Sequence, residues 1–161
     1  MTDSTLTARE ILLGGTAEGD LLRLELPLSF WGGVDPNSGD ITDPRHPQFG
    51  ANMAGRIVAM ERGIGSSSGS SILLELLANG HGPLGLLLIE ADAILTLGAV
   101  VAREMGYAPL PIFLITEADF LRLPSRLRLH ETGVLEALTG VQDPPETLGK
   151  TVRGLRSESV R

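Results

Sequence analysis

The sequence predicts an α/β fold, in which a short parallel β-α-β-α-β unit packs on a β-rich layer drawn from both ends of the chain. Three observations carry this. After Arg56 the short strand 56–60 is apolar, and the runs at 84–89 and 110–115 lack polar alternation, as expected of buried strands. Helical patterns fill the two gaps between them. Outside this unit the runs are short, broken by glycine, or strictly alternating, which is the signature of antiparallel strands and turns.

In chain order, Ala8 to Leu13 and Asp20 to Leu26 read as strands separated by Gly14-Gly15 and Gly19. Trp31 to Gly55 is a long loop rich in Gly, Pro, Asp and Asn, uncommon inside a compact domain unless it is functional. Arg56 to Met60 is a buried strand, Gly63 to Ser71 a loop, and Ile72 to Ala78 a helix with Glu75 outward. Leu84 to Ile89 is the next strand. Ala93 to Met105 is the second helix, with Asp92 as N-cap and Gly106 as its stop. Leu110 to Ile115 closes the unit, and its short links imply right-handed crossovers. Arg126-Leu127-Arg128-Leu129-His130 alternates cleanly as a half-exposed strand. Residues 1–140 are expected to form one domain, and 141–161 an extension with a frayed end.

Composition narrows the function classes. The chain has 161 residues, a formal net charge of −7 and no cysteine. Disulfides, zinc ribbons, thiolate-held clusters and cysteine nucleophiles are therefore excluded for this chain, though not for a partner. The longest charge-free stretch, Leu76 to Ile89, is too short and too interrupted to span a bilayer. The first residues lack the basic and apolar regions of a secretory signal, so a cytoplasmic protein with no membrane partner is expected. Basic residues concentrate toward the C-terminal end, but without interleaved aromatics they read as a solvated terminus and not a nucleic-acid surface.

The strongest chemical feature is Gly63-Ile64-Gly65-Ser66-Ser67-Ser68-Gly69-Ser70-Ser71, which leaves one buried strand and opens a helix. Ligands of open α/β sheets bind beyond the carboxyl ends of the strands. Small residues let backbone approach a ligand, and N–H groups at a helix start favour anions. The same run also reads as a flexible turn with helix caps. It lacks the lysine of a nucleotide triphosphate loop, the spaced glycines of a dinucleotide fingerprint and the Gly-x-Ser-x-Gly elbow of hydrolases.

Other polar candidates each have a structural alternative. Asp35 and Asp43 precede prolines and suit turns, yet with His46 they lie in a loop that could face substrate or a partner. Arg56 begins a strand and could pair with an acid or hold a carboxylate. Trp31, the sole tryptophan, is an interface anchor or a loop-packing residue.

Several motifs in one order carry a family resemblance: Gly32-Gly33-Val34-Asp35-Pro36, Gly39-Asp40-Ile41-Thr42-Asp43, His46-Pro47, Gly55-Arg56-Ile57, Gly65-Ser66-Ser67-Ser68-Gly69-Ser70 and Gly98-Ala99-Val100-Val101-Ala102. Over roughly residues 8–138 the chain resembles the small subunit of the aconitase X family, whose fold is the swivelling β/β/α domain of aconitases. The resemblance implies a lyase. A cysteine-bearing, aconitase-like large subunit would hold an iron–sulfur cluster, this chain binding none alone. The swivelling domain would close over it and contribute Ser66 as base, with Gly65, Ser67, Ser68, His46, Asp35 and Arg56 as substrate-binding candidates. No residue here is expected to bind metal. Aconitase proper has an arginine two positions after that serine, where this chain has Ser68. The resemblance therefore implies a small hydroxy acid with fewer carboxylates than citrate. In bacterial members this is cis-3-hydroxy-L-proline, converted to Δ1-pyrroline-2-carboxylate, and in archaeal members phosphomevalonate. A non-catalytic, phosphorelay-like module with His46 as carrier is the competing reading.

Overall fold

A computed structural model describes residues 5–139. The extension at 141–161 lies outside the described residues. Eight strands form one sheet: β1 (Leu6–Thr7), β2 (Glu10–Leu13), β3 (Ala17–Arg23), β4 (Ile57–Met60), β5 (Gly85–Leu88), β6 (Ile112–Leu114), β7 (Arg126–Leu129) and β8 (Val134–Ala137). Their order is β1-β8-β7-β3-β4-β5-β6-β2. The run β3-β4-β5-β6 is parallel, and every other pairing is antiparallel. The expected β-rich part thus joins the parallel unit edge to edge through β3. Sheet ends β1 and β2 are consecutive in the chain. Between them Ala8 N–H donates to Gly133 O and Arg9 N–H to Leu114 O, each at 2.7 Å, so the sheet must curl to bring its two ends together.

Curling creates two cores, which explains the continuous apolar runs. Successive residues of a strand point to opposite faces. Ile57, Ala59, Leu87 and Phe113 point into the curl, against Leu127, Leu129 and Leu135. Val58, Met60, Leu86, Leu88, Ile112 and Leu114 point outward, onto the helices and the long loop. Neither face of these strands meets water, so neither can be polar.

The outer face carries α2 (Gly69–Ala78) and α3 (Ala93–Glu104), which supply the crossovers β4-α2-β5 and β5-α3-β6. Asp92 caps α3 as expected, accepting Leu95 N–H at 2.9 Å, and Gly106 ends the segment at φ +83°. The loop after β3 begins with a distorted turn, α1 (Phe30–Gly33), and then folds over the outer core. Its Val34, Ile41 and Met53 are buried there. Asn52 Nδ2 pins the loop by donating to Ser38 O and Asp40 Oδ1, both at 2.8 Å.

Three elements exceed the sequence expectation. Helix α2 starts at Gly69 instead of Ile72, because the carbonyls of Ser66, Ser67 and Ser68 accept the N–H groups of Gly69, Ser70 and Ser71. Helix α4 (Glu117–Arg122) is capped by Thr116, and β8 returns along β7 after the Gly133 turn.

Several carboxylates are held below their ordinary range. Arg128 and then Arg126 do this for Glu18, the Asn52 amide and Ser38 hydroxyl for Asp40, and Arg122 and Thr116 for Asp119. A lowered folded pKa contributes stability that is fully present above the unfolded value and is lost as pH falls through the folded one. The urea midpoint should therefore be level above about pH 5 and fall steadily below about pH 4. A midpoint unchanged through that acid window would contradict these contacts.

Candidate active site

The Gly–Ser loop leaves the carboxyl end of β4 and turns into α2. Before the turn it is pinned from two sides: Gly63 bridges Leu28, with Ile64 N–H donating to Leu28 O at 3.1 Å, and Gly63 N–H donates to Asp92 Oδ2 at 3.1 Å. Gly65 then adopts φ +90°, a conformation that disfavours any residue with a Cβ. A Cβ there would also stand 2.5 Å from Ser29 Oγ.

Ser66 follows this turn and is exposed. Its Oγ accepts the N–H of Ser68 at 3.1 Å. The first-turn amides of α2 are spent on the carbonyls of Ser66, Ser67 and Ser68. The N–H groups of Gly65, Ser66 and Ser67 have no acceptor among the described residues. The open donors thus belong to the segment just before the helix and not to the helix itself. Together with the positive end of α2 they form a setting that favours negative charge on an oxygen.

A small cleft of about 60 Å³ runs beside the loop, lined by Leu28, Phe30, Ile94, Leu95 and Asp92. Ser29, between Leu28 and Phe30 in the chain, lines a wider groove of about 490 Å³ with Trp31, Gly32, Gly33, Thr42, Asp43 and Arg45. Asp43 Oδ1 accepts Arg45 N–H at 3.0 Å and Arg45 Nε–H at 3.2 Å. The Arg45 amide first, then its guanidinium, hold the Asp43 carboxyl below the usual range.

Of the residues singled out from the sequence, Gly65, Ser66, Ser67 and Ser68 stand together, with Asp43 and Trp31 in the adjoining groove. The other three are engaged elsewhere. His46 is buried, its Nε2 3.0 Å from Leu26 O while Nδ1 accepts Gln48 N–H at 3.1 Å. Both ring nitrogens serve the backbone, which leaves none for substrate or phosphate. Asp35 builds a turn, its Oδ1 accepting Asn37 N–H at 2.9 Å. The neighbouring Pro36 carbonyl accepts from Asn79, at the far end of α2 and about 15 Å of helix from Ser66. Arg56 precedes β4, at the end opposite the loop, and donates to Leu21 O at 2.8 Å. Its partner is a backbone carbonyl of the neighbouring strand. Sequence reasoning missed Ser29 and the tie from Asp92 to Gly63. A serine just before a helical turn is the signal for the first; Asp92 ends a strand, where sites often lie, but capping of α3 suffices to explain it in the sequence.

Among the described residues, no group of His, Cys, Asp and Glu side chains could hold a metal ion. With no cysteine in the sequence, the chain's own donor set does not fit an iron–sulfur cluster.

Comparison with known proteins places this geometry. The chain is 45% identical over 117 residues to a cis-3-hydroxy-L-proline dehydratase of Pseudomonas aeruginosa, covering 73% of this chain but 20% of that protein. It therefore spans about a fifth of that relative's length. It is 39% identical over 122 residues to the phosphomevalonate dehydratase small subunit of Pyrococcus furiosus, covering 76% of this chain and 85% of that one. A crystal structure of Thermococcus kodakaraensis aconitase X in its holo-form superposes with a TM-score of 0.73 at 31% identity, over 84% of this chain and 98% of that one. The family model described as Aconitase X swivel domain matches residues 5–136, nearly the whole described fold. The chain belongs to the aconitase X swivel domain family.

Proposed function

We propose that this chain is the small subunit of a heteromeric aconitase X-type hydro-lyase, acting in the cytoplasm, in which Ser66 is the base. The observation that carries the reading is the exposed Ser66 Oγ just before α2, which accepts the Ser68 N–H at 3.1 Å in a segment whose Gly65, Ser66 and Ser67 amides have no acceptor among the described residues. A serine alkoxide is costly near neutral pH. The Ser68 N–H that already donates to Oγ and the start of α2 offset part of that cost at the atom that must carry the charge. Ser66 Oγ takes the proton from the carbon next to the substrate carboxylate while hydroxide leaves the adjacent carbon and is protonated to water, so the two carbons gain a double bond; with cis-3-hydroxy-L-proline the resulting enamine then tautomerises to Δ1-pyrroline-2-carboxylate. An iron–sulfur cluster on the cysteines of a large subunit would supply the Lewis acid for the leaving hydroxyl.

For the substrate we favour cis-3-hydroxy-L-proline. Two relatives named for its dehydration match at 45% and 44% identity, and Ser68 leaves no guanidinium at that position for a second carboxylate. The alternative is a phosphomevalonate dehydratase small subunit. The nearby arginines offer that substrate little: Arg45 pairs with Asp43, and Arg62 lies 3.8 Å from both Glu61 and Glu90. A phosphorelay role for His46 lacks support, because both its nitrogens are engaged. No helix among the described residues is long and apolar enough to cross a membrane.

The test is reconstitution with the large subunit and assay on both substrates. Water loss from cis-3-hydroxy-L-proline is the expected result. Preferential turnover of phosphomevalonate would move the substrate to the alternative, and turnover of neither would overturn the reading.

A further inference from the structure

Helix α3 contributes nothing to the chemistry proposed above, yet its N-terminal half touches the Ser66 segment on both sides. Before Ser66, the Asp92 carboxylate makes two separate contacts. Oδ1 caps α3 through Leu95 N–H at 2.9 Å, and Oδ2 accepts Gly63 N–H at 3.1 Å. Gly63 admits this approach because it has no side chain, and a Cβ there would overlap the Asp92 carboxylate. After Ser66, Gly98 lets α3 lie against the first turn of α2. A Cβ at Gly98 would stand 2.6 Å from Ser70 O. Between these anchors the N–H groups of Gly65, Ser66 and Ser67 are unspent, so apart from Ile64 N–H on Leu28 O and Ser68 N–H on Ser66 Oγ the loop's own amides do nothing to fix where Ser66 stands.

We propose that Asp92 is a positioning residue for Ser66: its second carboxylate oxygen, through Gly63 N–H, sets the height of the Gly–Ser loop above the cleft. The inference rests on Ser66 being the base. Capping alone needs only one acceptor oxygen, and serine or asparagine supplies that as well as aspartate. The second oxygen is what a plain cap would not require. A shift of about 1 Å at a reacting group can cost about 10²-fold in rate, so a loop released at Gly63 should be felt in turnover.

The distinguishing variants are Asp92→Asn and Asp92→Ser, each of which keeps a capping oxygen for Leu95 but cannot also hold Gly63. In the reconstituted enzyme both should keep a melting temperature near wild type and lose kcat by about 10-fold or more, with KM changed by less than about 2-fold. In the full-length chain, hydrogen exchange at the Gly63 amide should quicken by about 10-fold or more while Leu95 stays protected. Gly63→Ala, which expels the carboxylate from the other side, should reproduce the kcat loss. Unchanged Gly63 exchange, or a freed loop with wild-type kcat, would overturn the proposal. The exchange measurement does not depend on the identity of the base. If Ser66→Ala remains active while Gly63 exchange quickens in Asp92→Asn, the base assignment has failed and the tie stands only as structure.

Discussion

Replacing Ser66 with alanine is expected to lower kcat of the reconstituted enzyme by about 10²–10⁴-fold, the contribution of a positioned general base. The change removes one exposed hydroxyl that accepts from Ser68 N–H and makes no other hydrogen bond among the described residues. The fold should hardly register it, because Ser66 lies outside both cores. A melting temperature close to wild type with this loss of turnover would separate chemistry from folding. KM should change little, since the hydroxyl acts on a proton and not on the groups that bind substrate. Ser71→Ala is the matching control, because Ser71 is exposed in the first turn of α2 and its hydroxyl makes no hydrogen bond among the described residues.

Phe113→Ala is expected to produce the largest loss of stability, about 3–5 kcal/mol by urea denaturation. Phe113 is 0% exposed at the centre of the curled sheet, packed among Ile57, Leu87, Leu127 and Leu129. The chain has only four phenylalanines, and its inner core is otherwise mostly short aliphatic side chains. Strands surround the site, so little can move in to fill the cavity. The Ser66 loop belongs to the other face, beside Leu28, Phe30 and Leu95 of the outer core. The folded fraction of Phe113→Ala should therefore keep its turnover at low temperature. A loss below about 1 kcal/mol would mean that the inner core is not closed as described.

The two cores also explain which parts of the fold were legible in the sequence. Leu86, Leu87 and Leu88 are all apolar because alternate residues serve different cores, and that pattern announces a strand covered on both faces. Helix α4 was not legible, because it has six residues and none is buried, so it carries no apolar stripe. The start of α2 was hidden by Gly69-Ser70-Ser71, poor helix formers whose amides are held by the carbonyls just before them.

The site divides in the same way. Its Gly65–Ser68 segment is local in sequence, and small residues between a strand and a helix signal it. The partners that shape it are not local. Asp92 lies 29 residues from Gly63, and Ser29 meets Gly65 only through the fold. His46, Asp35 and Arg56 show the converse. Each is a polar side chain in or beside a long loop, as a ligand-binding group would be. Each instead hydrogen-bonds backbone groups, of the loop for His46 and Asp35 and of β3 for Arg56.

The identity of the base is tested most directly by the fate of the substrate hydrogen. Wild-type enzyme and Ser66→Ala, each with the large subunit, would be given cis-3-hydroxy-L-proline deuterated at the carbon bearing the carboxylate. The label remaining in recovered substrate and the product formed would be followed together. The wild type should form product and release the label to water, while Ser66→Ala should do neither beyond about 1% of that rate. Release of the label by Ser66→Ala at the wild-type rate would place the base on another residue.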